Sequence, residues 1–332
     1  MHPSEVLFQG KRQPLLLPAC DHYCGTEKLM LKSMALQQEL GPLFDITFDC
    51  EDGAAAGDEP AHAQLVVRLL NDEGNRFNRI GVRMHDIASP FFEADIAVIV
   101  GGAAARLAYV VLPKVDSAND VMRAIDLINQ YAAKAGRSDL PVHVLIETHG
   151  ALRDAYNIAA LPQVECLSFG IMDFVSAHYG AITGAAMRTP GQFTHPLVVR
   201  AKLEIVAACH AHGKVPSHNV TTEIRDTAVV ANDAQRAAAE FGFTRMWSIH
   251  PDQIKPIIKA FTPRLSEVNE ATNVLTEAIN ANWGPIAQQG RLHDRASYRY
   301  YWTVLQRARL AGLGLPDAAT ALLGQAPHTE PT

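Results

Sequence analysis

Residues 142–174 read VHVLIETHGALRDAYNIAALPQVECLSFGIMDF, and the pattern of apolar residues in this stretch indicates the fold. Two short apolar runs, Val142–Glu147 and Cys166–Gly170, lie on either side of a helical stretch, Ala151–Ala160. Short runs that are apolar throughout are typical of strands buried on both faces, as in parallel sheets. The stretch therefore predicts a strand–helix–strand unit with parallel strands.

The same alternation continues on both sides of this unit. Six further runs bring the number of predicted strands to eight, the number that a (β/α)8 barrel requires. An open, doubly wound sheet is the alternative, but no G-x-G-x-x-G motif follows the first predicted strand. We therefore predict an α/β fold of the (β/α)8 TIM-barrel type. The six further strands are predicted at Leu15–Pro18, Asp45–Asp49, Arg79–Arg83, Tyr109–Pro113, Lys214–Pro216 and Met246–Ile249.

The pattern changes after Phe261. Residues 1–262 are predicted to form the barrel with its catalytic site, and residues 263–332 a helical extension without strands, which could pack on a neighbouring subunit. The helices of this extension are predicted at Leu265–Ala281, Ala296–Ala311 and Pro316–Leu323.

Composition and charge exclude several classes of protein. The chain has 332 residues and a formal net charge of −6, which argues against a nucleic-acid partner and against a basic membrane surface. No apolar run is long enough for a membrane span. The five cysteines have neither the number nor the spacing of a disulfide framework or a zinc site, so we expect reduced thiols and a cytoplasmic location.

Polar residues concentrate where the predicted strands end. A barrel enzyme builds its site at these carboxyl ends. Glu147 and Asp173 follow two adjacent strands, and two carboxylates with room for water and substrate oxygens favour Mg2+, with Mn2+ as a second possibility. Arg83 is a planar cation suited to a carboxylate, and Glu51 and Asp52 could orient it or hold metal-bound waters.

Each of these residues also has a purely structural interpretation. Asp173 could cap the helix that follows its strand. Arg83 could form an ion pair with Asp49 or Glu51 and have no part in substrate binding. The occurrence of an arginine and several acids on one rim favours a functional site.

Five segments resemble one known group of enzymes, the HpcH/HpaI aldolase and citrate lyase β-subunit superfamily. The order and spacing of the segments agree with that superfamily from about residue 14 to residue 262. They are FDCEDGA (48–54), VRMH (82–85), LPK (112–114), the stretch 144–174 and SIHPDQI (248–254).

The resemblance implies roles for the rim residues. Glu147 and Asp173 would bind Mg2+, and Arg83 would bind the carboxylate or carbonyl end of the substrate. The predicted catalytic residues are Arg83, Asp52, Glu51 and Asp294, and the predicted substrate-binding residues are Arg83, Asp49, Lys114, Gly170 and Met172.

The C-terminal segment GRLHDRASYRYYWTVLQRA (290–308) is similar to the extension of the malyl-CoA lyases. In that extension an aspartate is donated to a neighbouring subunit, where it acts as acid or base. The resemblance therefore implies a homo-oligomer with Asp294 acting in trans. The alternative is that Asp294 only caps the helix Ala296–Ala311.

The resemblance implies a Mg2+-dependent carbon–carbon lyase that cleaves a carboxylated β-hydroxyacyl-CoA such as malyl-CoA or citramalyl-CoA. The alternatives are an aldolase for a free 2-oxo-4-hydroxy acid, a malyl-CoA-type thioesterase, and a non-catalytic subunit that binds acyl-CoA or 2-oxo acids. The chain departs from the superfamily in its first strand, where residues 13–18 read QPLLLP, and at His85, where the superfamily has asparagine.

Overall fold

Eight parallel strands form a closed barrel in which each strand pairs with its neighbours in the sequence and β8 pairs with β1. The structure is a computed structural model that describes residues 2–10, 13–54, 57–224 and 226–324. The strands are β1 Cys20–Cys24, β2 Phe44–Asp49, β3 Ile80–Arg83, β4 Leu107–Leu112, β5 Val142–Ile146, β6 Val164–Phe169, β7 Val215–His218 and β8 Arg245–Ser248.

Helices follow the strands of the barrel, as the (β/α)8 pattern predicts. The helices are α1 Pro3–Phe8, α2 Glu27–Leu40, α3 Glu59–Asn71, α4 Phe92–Asp95, α5 Gly101–Ala103, α6 Ala118–Lys134, α7 His149–Arg153, α8 Ala155–Ala160, α9 Ile171–Ser176, α10 Pro196–Ala211, α11 Thr227–Phe241, α12 Pro251–Phe261, α13 Leu265–Asn280, α14 Arg295–Leu310 and α15 Asp317–Leu323. A π-helical turn, Ile96–Val100, joins α4 to α5.

The first strand is not where the apolar pattern predicts it. Leu15–Pro18 forms no strand, and β1 is the more polar segment CDHYC at Cys20–Cys24. Asp21 and His22 of β1 are buried because each has a partner on a neighbouring strand: Asp21 accepts a hydrogen bond from Thr47 at 2.7 Å, and His22 pairs with Ser248 at 2.9 Å. These partners are distant in sequence, so the residues of this segment alone do not predict a buried strand.

The N-terminal half of the barrel interior contains a charged cluster. Arg245 is fully buried and pairs with Asp45 at 2.6 Å and with Asp21 at 3.2 Å. Burial disfavours its charge, but the carboxylates of Asp45 and Asp21 outweigh that effect and raise the pKa of Arg245. Tyr109 donates to Asp21 at 3.0 Å, so the cluster also fixes the aromatic side chain above it. Paired charges thus fill the end of the barrel interior that is opposite the predicted site.

The chain divides into two compact units, Leu17–Phe261 and a second unit of Met1–Leu16 with Thr262–Thr332. The prediction divides the chain into residues 1–262 and 263–332, whereas the contacts group residues 1–16 with the C-terminal unit. In the second unit Leu7 of α1 is buried in the same cluster as Tyr298 and Trp302 of α14. Apolar contacts with the C-terminal helices therefore determine where the N-terminal segment belongs.

The prediction of a C-terminal extension without strands was wrong. An antiparallel hairpin of β9 Ile286–Gln288 and β10 Arg291–His293 precedes α14. Its turn residues Gln289 and Gly290 both have positive φ, 51° and 75°, which is typical of a tight two-residue hairpin turn. Strands of three residues are too short to show an alternating pattern. Residues 325–332 lie outside the described part of the chain.

All five cysteines are buried and free, as predicted. None of the helices in the described ranges is long and apolar enough to cross a membrane.

Candidate active site

The carboxyl ends of β2 and β3 carry a tightly held arginine. Arg83 donates from Nε to Asp49 Oδ1 at 2.8 Å and from Nη2 to Oδ2 at 2.6 Å, and Nη1 lies 2.8 Å from Glu51 Oε2. The carboxylate of Asp49 also accepts the backbone N–H groups of Glu51 and Gly53. Arg83 thus forms ion pairs with both Asp49 and Glu51, and the bidentate pair with Asp49 fixes the plane of the guanidinium. A role of Arg83 in substrate binding stays a prediction.

Burial and charge act in opposite directions on this group. Arg83 is only 6% exposed, so burial disfavours its charge, but Asp49 and Glu51 outweigh that effect and raise the pKa of Arg83. Arg83 therefore remains a cation in a site with little water. Three of the five N–H donors of its guanidinium point at the carboxylates of Asp49 and Glu51.

Lys114 joins this cluster from the end of β4. Its Nζ pairs closely with Glu51 and lies 3.2 Å from Asp52 Oδ2. Burial raises the pKa of Glu51, and Arg83 and Lys114 only partly offset the rise. Burial would also raise the pKa of Asp52, but Lys114 outweighs it and the pKa is lowered. Two adjacent carboxylates thus have different proton affinities.

Glu147 follows β5 and is almost completely buried, at 2% exposed. Its Oε1 accepts the backbone N–H of Lys114 at 2.7 Å. Burial and the negative charge of Asp173 raise the pKa of Glu147 to about 8. Within the described ranges no lysine, arginine or histidine side chain forms an ion pair with Glu147. The carboxylate is therefore buried without a directly paired cation in the described ranges, and the charge of Arg83 only partly offsets the rise in its pKa.

The turn after Glu147 fixes the direction of its side chain. Thr148 accepts the backbone N–H of Ala151 at 2.9 Å as the N-cap of α7, and its hydroxyl donates to Val115 O at 2.8 Å. The chain therefore leaves β5 in one defined direction, and Glu147 remains at the barrel mouth.

Asp173 lies half-buried in the first turn of α9, near Glu147. The cap position of that helix is occupied by Gly170, so the interpretation of Asp173 as an N-cap was wrong. Gly170 is close to Glu147: a Cβ atom at this position would lie 2.1 Å from Glu147 Oε2. Met172 is 45% exposed.

The Glu147–Asp173 pair suits a hard divalent cation, because two carboxylates close together in a buried site need positive charge. No group of three or more His, Cys, Asp or Glu side chains with metal-binding geometry occurs in the part of the chain that the structure describes. A cation held here would thus take its other ligands from water or substrate oxygens, which is the arrangement typical of Mg2+.

The structure also shows polar contacts that the sequence did not predict. His85 Nδ1 lies 2.6 Å from Asp95 Oδ2 of α4, and the backbone N–H of His85 donates to the same carboxylate. The residue that departs from the superfamily pattern is thus fixed by a buried acid. No sequence signal indicated Asp95, because its helix was not predicted.

Asp294 belongs to the second unit and is the N-cap of α14. Its Oδ1 accepts the N–H groups of Ala296 at 2.9 Å and Ser297 at 3.4 Å, and Ser297 Oγ accepts the N–H of Asp294. The capping interpretation is confirmed. A catalytic role in trans stays a prediction.

The model of the HpcH/HpaI aldolase/citrate lyase family matches residues 32–251. The chain belongs to this family. The HpcH/HpaI relatives include a citrate lyase from Burkholderia xenovorans LB400, whose crystal structure is 57% identical, has a TM-score of 0.86 and covers 97% of this chain and 99% of that chain. An L-malyl-CoA/β-methylmalyl-CoA lyase from Rhodobacter capsulatus is 28% identical over 281 residues, which are 80% of this chain and 87% of the relative.

A third protein is similar in fold at lower sequence identity. The protein CitE from Mycobacterium tuberculosis, crystallised with magnesium, acetoacetate and coenzyme A, is 23% identical with a TM-score of 0.67, covering 90% of this chain and 99% of that chain. The comparisons confirm the predicted superfamily, the (β/α)8 fold and the prediction that the protein is a lyase.

Proposed function

We propose that the protein is a Mg2+-dependent lyase that cleaves a carbon–carbon bond in a carboxylated β-hydroxyacyl-CoA of the malyl-CoA or citramalyl-CoA type. The observation that carries this proposal is the buried Glu147 beside Asp173, on the same rim as Arg83 and with no ion-pair partner in the described ranges. The names of the relatives support the thioester substrate. A homo-oligomer and a cytoplasmic location stay predictions.

Glu147 and Asp173 would hold the cation, and Mn2+ could replace Mg2+. Bound there, the cation supplies a Lewis acid that polarises an oxygen of the 2-hydroxy acid half of the substrate. Glu147 is oriented for this task by the amide of Lys114 and by the small size of Gly170.

Arg83 would bind the substrate carboxylate or the negative charge that develops when the carbon–carbon bond breaks. Asp49 and Glu51 hold the guanidinium in place before substrate arrives, so little reorganisation is needed during the reaction. Asp49 thus acts on the substrate through Arg83, since both of its oxygens are engaged by protein donors.

Proton transfer requires a group that can both accept and release a proton near neutral pH. Glu51 suits this role better than Asp52, because burial raises the pKa of Glu51 whereas Lys114 lowers that of Asp52. Lys114 lies between the two and would stabilise whichever carboxylate carries the charge. Asp294 of a second subunit is the alternative acid or base.

The decisive variant is Glu147→Gln, which keeps the size of the side chain and removes its charge. Lewis-acid stabilisation contributes several kcal/mol, so kcat/KM for malyl-CoA or citramalyl-CoA should fall by about 100-fold or more. Mg2+ affinity, measured by calorimetry, should fall in parallel. Glu204→Gln, an exposed glutamate in an i,i+4 pair on α10, is the matched control and should change neither quantity.

Product analysis separates the alternatives. A lyase yields an acyl-CoA and a 2-oxo acid, a thioesterase yields free CoA and an intact acid, and an aldolase cleaves free 2-oxo-4-hydroxy acids. Ligand binding with no turnover would indicate a non-catalytic subunit. Unchanged Mg2+ binding and cleavage in Glu147→Gln would show that the metal site is assigned wrongly.

A further inference from the structure

Two aromatic residues close the barrel interior beneath the candidate site. Tyr23 on β1 and Trp247 on β8 lie on the pair of strands that closes the barrel, and their ring centroids are 4.7 Å apart. They belong to a small interior cluster, with Tyr109, Val111 and Leu145, that is separate from the large core between barrel and helices. We call Tyr23 and Trp247 the aromatic floor.

The aromatic floor contacts Arg83 at one end and the strand that leads to Gly170 at the other. The guanidinium carbon of Arg83 lies 5.6 Å from the centre of the Tyr23 ring, within cation–π range. At the other end, Trp247 Nε1 donates to Phe169 O at 3.3 Å, and Phe169 directly precedes Gly170, which faces Glu147. The two rings therefore extend from Arg83 to the strand end that carries Gly170, and a substrate that bridges Arg83 and Glu147 would lie beside them.

Accessibility distinguishes the aromatic floor from the packed layer around it. Tyr23 is 6% and Trp247 9% exposed, as accessible as Arg83 at 6%. Tyr109, Val111 and Leu145 in the same cluster are at most 2% exposed. The aromatic floor is thus the part of the cluster that a ligand at Arg83 can reach.

The hydroxyl of Tyr23 supports a role other than internal bonding. It is buried and has no hydrogen-bond partner in the ranges that the structure describes. An unpaired buried hydroxyl costs about 1–3 kcal/mol. Internal hydrogen bonding therefore does not account for a tyrosine at this position, whereas contact with Arg83 and Trp247 at the site does.

We propose that the aromatic floor limits the size of the 2-hydroxy acid half of the substrate and so decides between malyl-type substrates and those with one more methyl group on the hydroxyl-bearing carbon. This inference rests on the proposed function. One methyl group in a tightly packed pocket changes kcat/KM by roughly 10–200-fold. The presence or absence of one large ring is therefore enough to set the substrate preference.

The test is Trp247→Leu, with kcat/KM measured for citramalyl-CoA and malyl-CoA at saturating Mg2+. Truncating the ring makes room, so the ratio of citramalyl-CoA to malyl-CoA should rise about tenfold or more. Trp247→Phe is a milder variant that should raise the ratio by less. It decides the question if the leucine variant does not fold.

Val111→Ala is the matched control, because Val111 belongs to the same interior cluster and is fully buried. It should lower stability and leave the substrate ratio unchanged. A ratio that is equally unchanged in Trp247→Leu and Trp247→Phe would overturn the inference. Failure of the wild-type protein to cleave either thioester would instead overturn the proposed function, and the inference with it.

Discussion

Lys114 contacts carboxylates on both sides of the site, through its backbone on one side and through its side chain on the other. Its backbone N–H binds Glu147, and its side chain binds Glu51 and Asp52. The residue has φ of 50°, a left-handed conformation that is uncommon for residues other than glycine, asparagine and aspartate. The strained backbone is what turns the amide toward Glu147 while the side chain extends to the acids, so the residue type and the conformation serve the site together.

Two tyrosines in the barrel interior should respond in opposite ways to loss of the hydroxyl. Tyr109 O–H is bonded to Asp21 at 3.0 Å and lies 2.9 Å from Thr47 Oγ1, whereas Tyr23 O–H is unpaired. Tyr109→Phe should therefore lower the free energy of unfolding by about 1–3 kcal/mol. Tyr23→Phe should leave it unchanged or raise it by about 1 kcal/mol.

Urea denaturation measures both changes, with the slope m checked for constancy. An equal loss of stability in the two variants would show that the Tyr23 hydroxyl is also bonded in solution.

The residues of the site differ in how far sequence predicted them. Glu147, Asp173 and Arg83 were predicted because Arg83 ends β3, Glu147 directly follows β5, and Asp173 lies in the first turn after β6. Tyr23 and Trp247 were not, since an aromatic residue inside a strand reads as core. Their relevance follows only from β1 and β8 meeting across more than two hundred residues of chain.

At the level of elements, the junction of β6 and α9 leaves no room for a side chain at Gly170. Gly170→Ala places a Cβ atom 2.1 Å from Glu147 Oε2 and 2.6 Å from Glu147 Cβ, so the carboxylate must move. We expect Mg2+ affinity to fall by about 10-fold or more, in the range found when groups that orient metal ligands are lost. Calorimetry with Mg2+ alone measures the effect.

Gly184→Ala, in the loop after α9, is the control, because a Cβ atom at that position contacts nothing within 4 Å. Equal Mg2+ affinities in the two variants would mean that Glu147 is not a metal ligand or that the turn adapts without displacing it.

The elements also show why sequence patterns fail in particular places. The apolar pattern predicts a strand at Leu15–Pro18, whereas β1 is the polar segment that follows it. The sequence does not show this, because the partners of Asp21 and His22 lie on β2 and β8. The hairpin at 286–293 was missed because three-residue strands have no measurable period. The bounds predicted for β5 agree with the structure to within a residue, since all five of its residues are buried.

For the whole molecule, the role of Asp294 decides whether one chain is a complete enzyme. Asp294→Asn preserves the N-cap of α14, because asparagine caps as well as aspartate, but removes the acid. If Asp294 acts in a neighbouring subunit, Asp294→Asn should be inactive although stable, and mixing it with Glu147→Gln should restore part of the activity. Light scattering with size-exclusion chromatography should then show an oligomer.

Full activity in Asp294→Asn would leave the residue with its capping role alone. In that case Asp294→Ala should lower stability by about 1 kcal/mol and leave the kinetic constants as they are.

The grouping of α1 with the C-terminal helices has a consequence for biosynthesis. All strands of the barrel have been translated once synthesis reaches residue 248. Leu7 and His2 can pack with Trp302 only after about fifty more residues have been added. Helix α1 thus leaves the ribosome before the C-terminal helices and packs only after they have been synthesised. Closing so long a loop costs little more free energy than closing a loop half its length, but it delays the step. We therefore expect a fusion partner on the N-terminus to slow the last stage of folding and to leave the rate of the first stage unaffected.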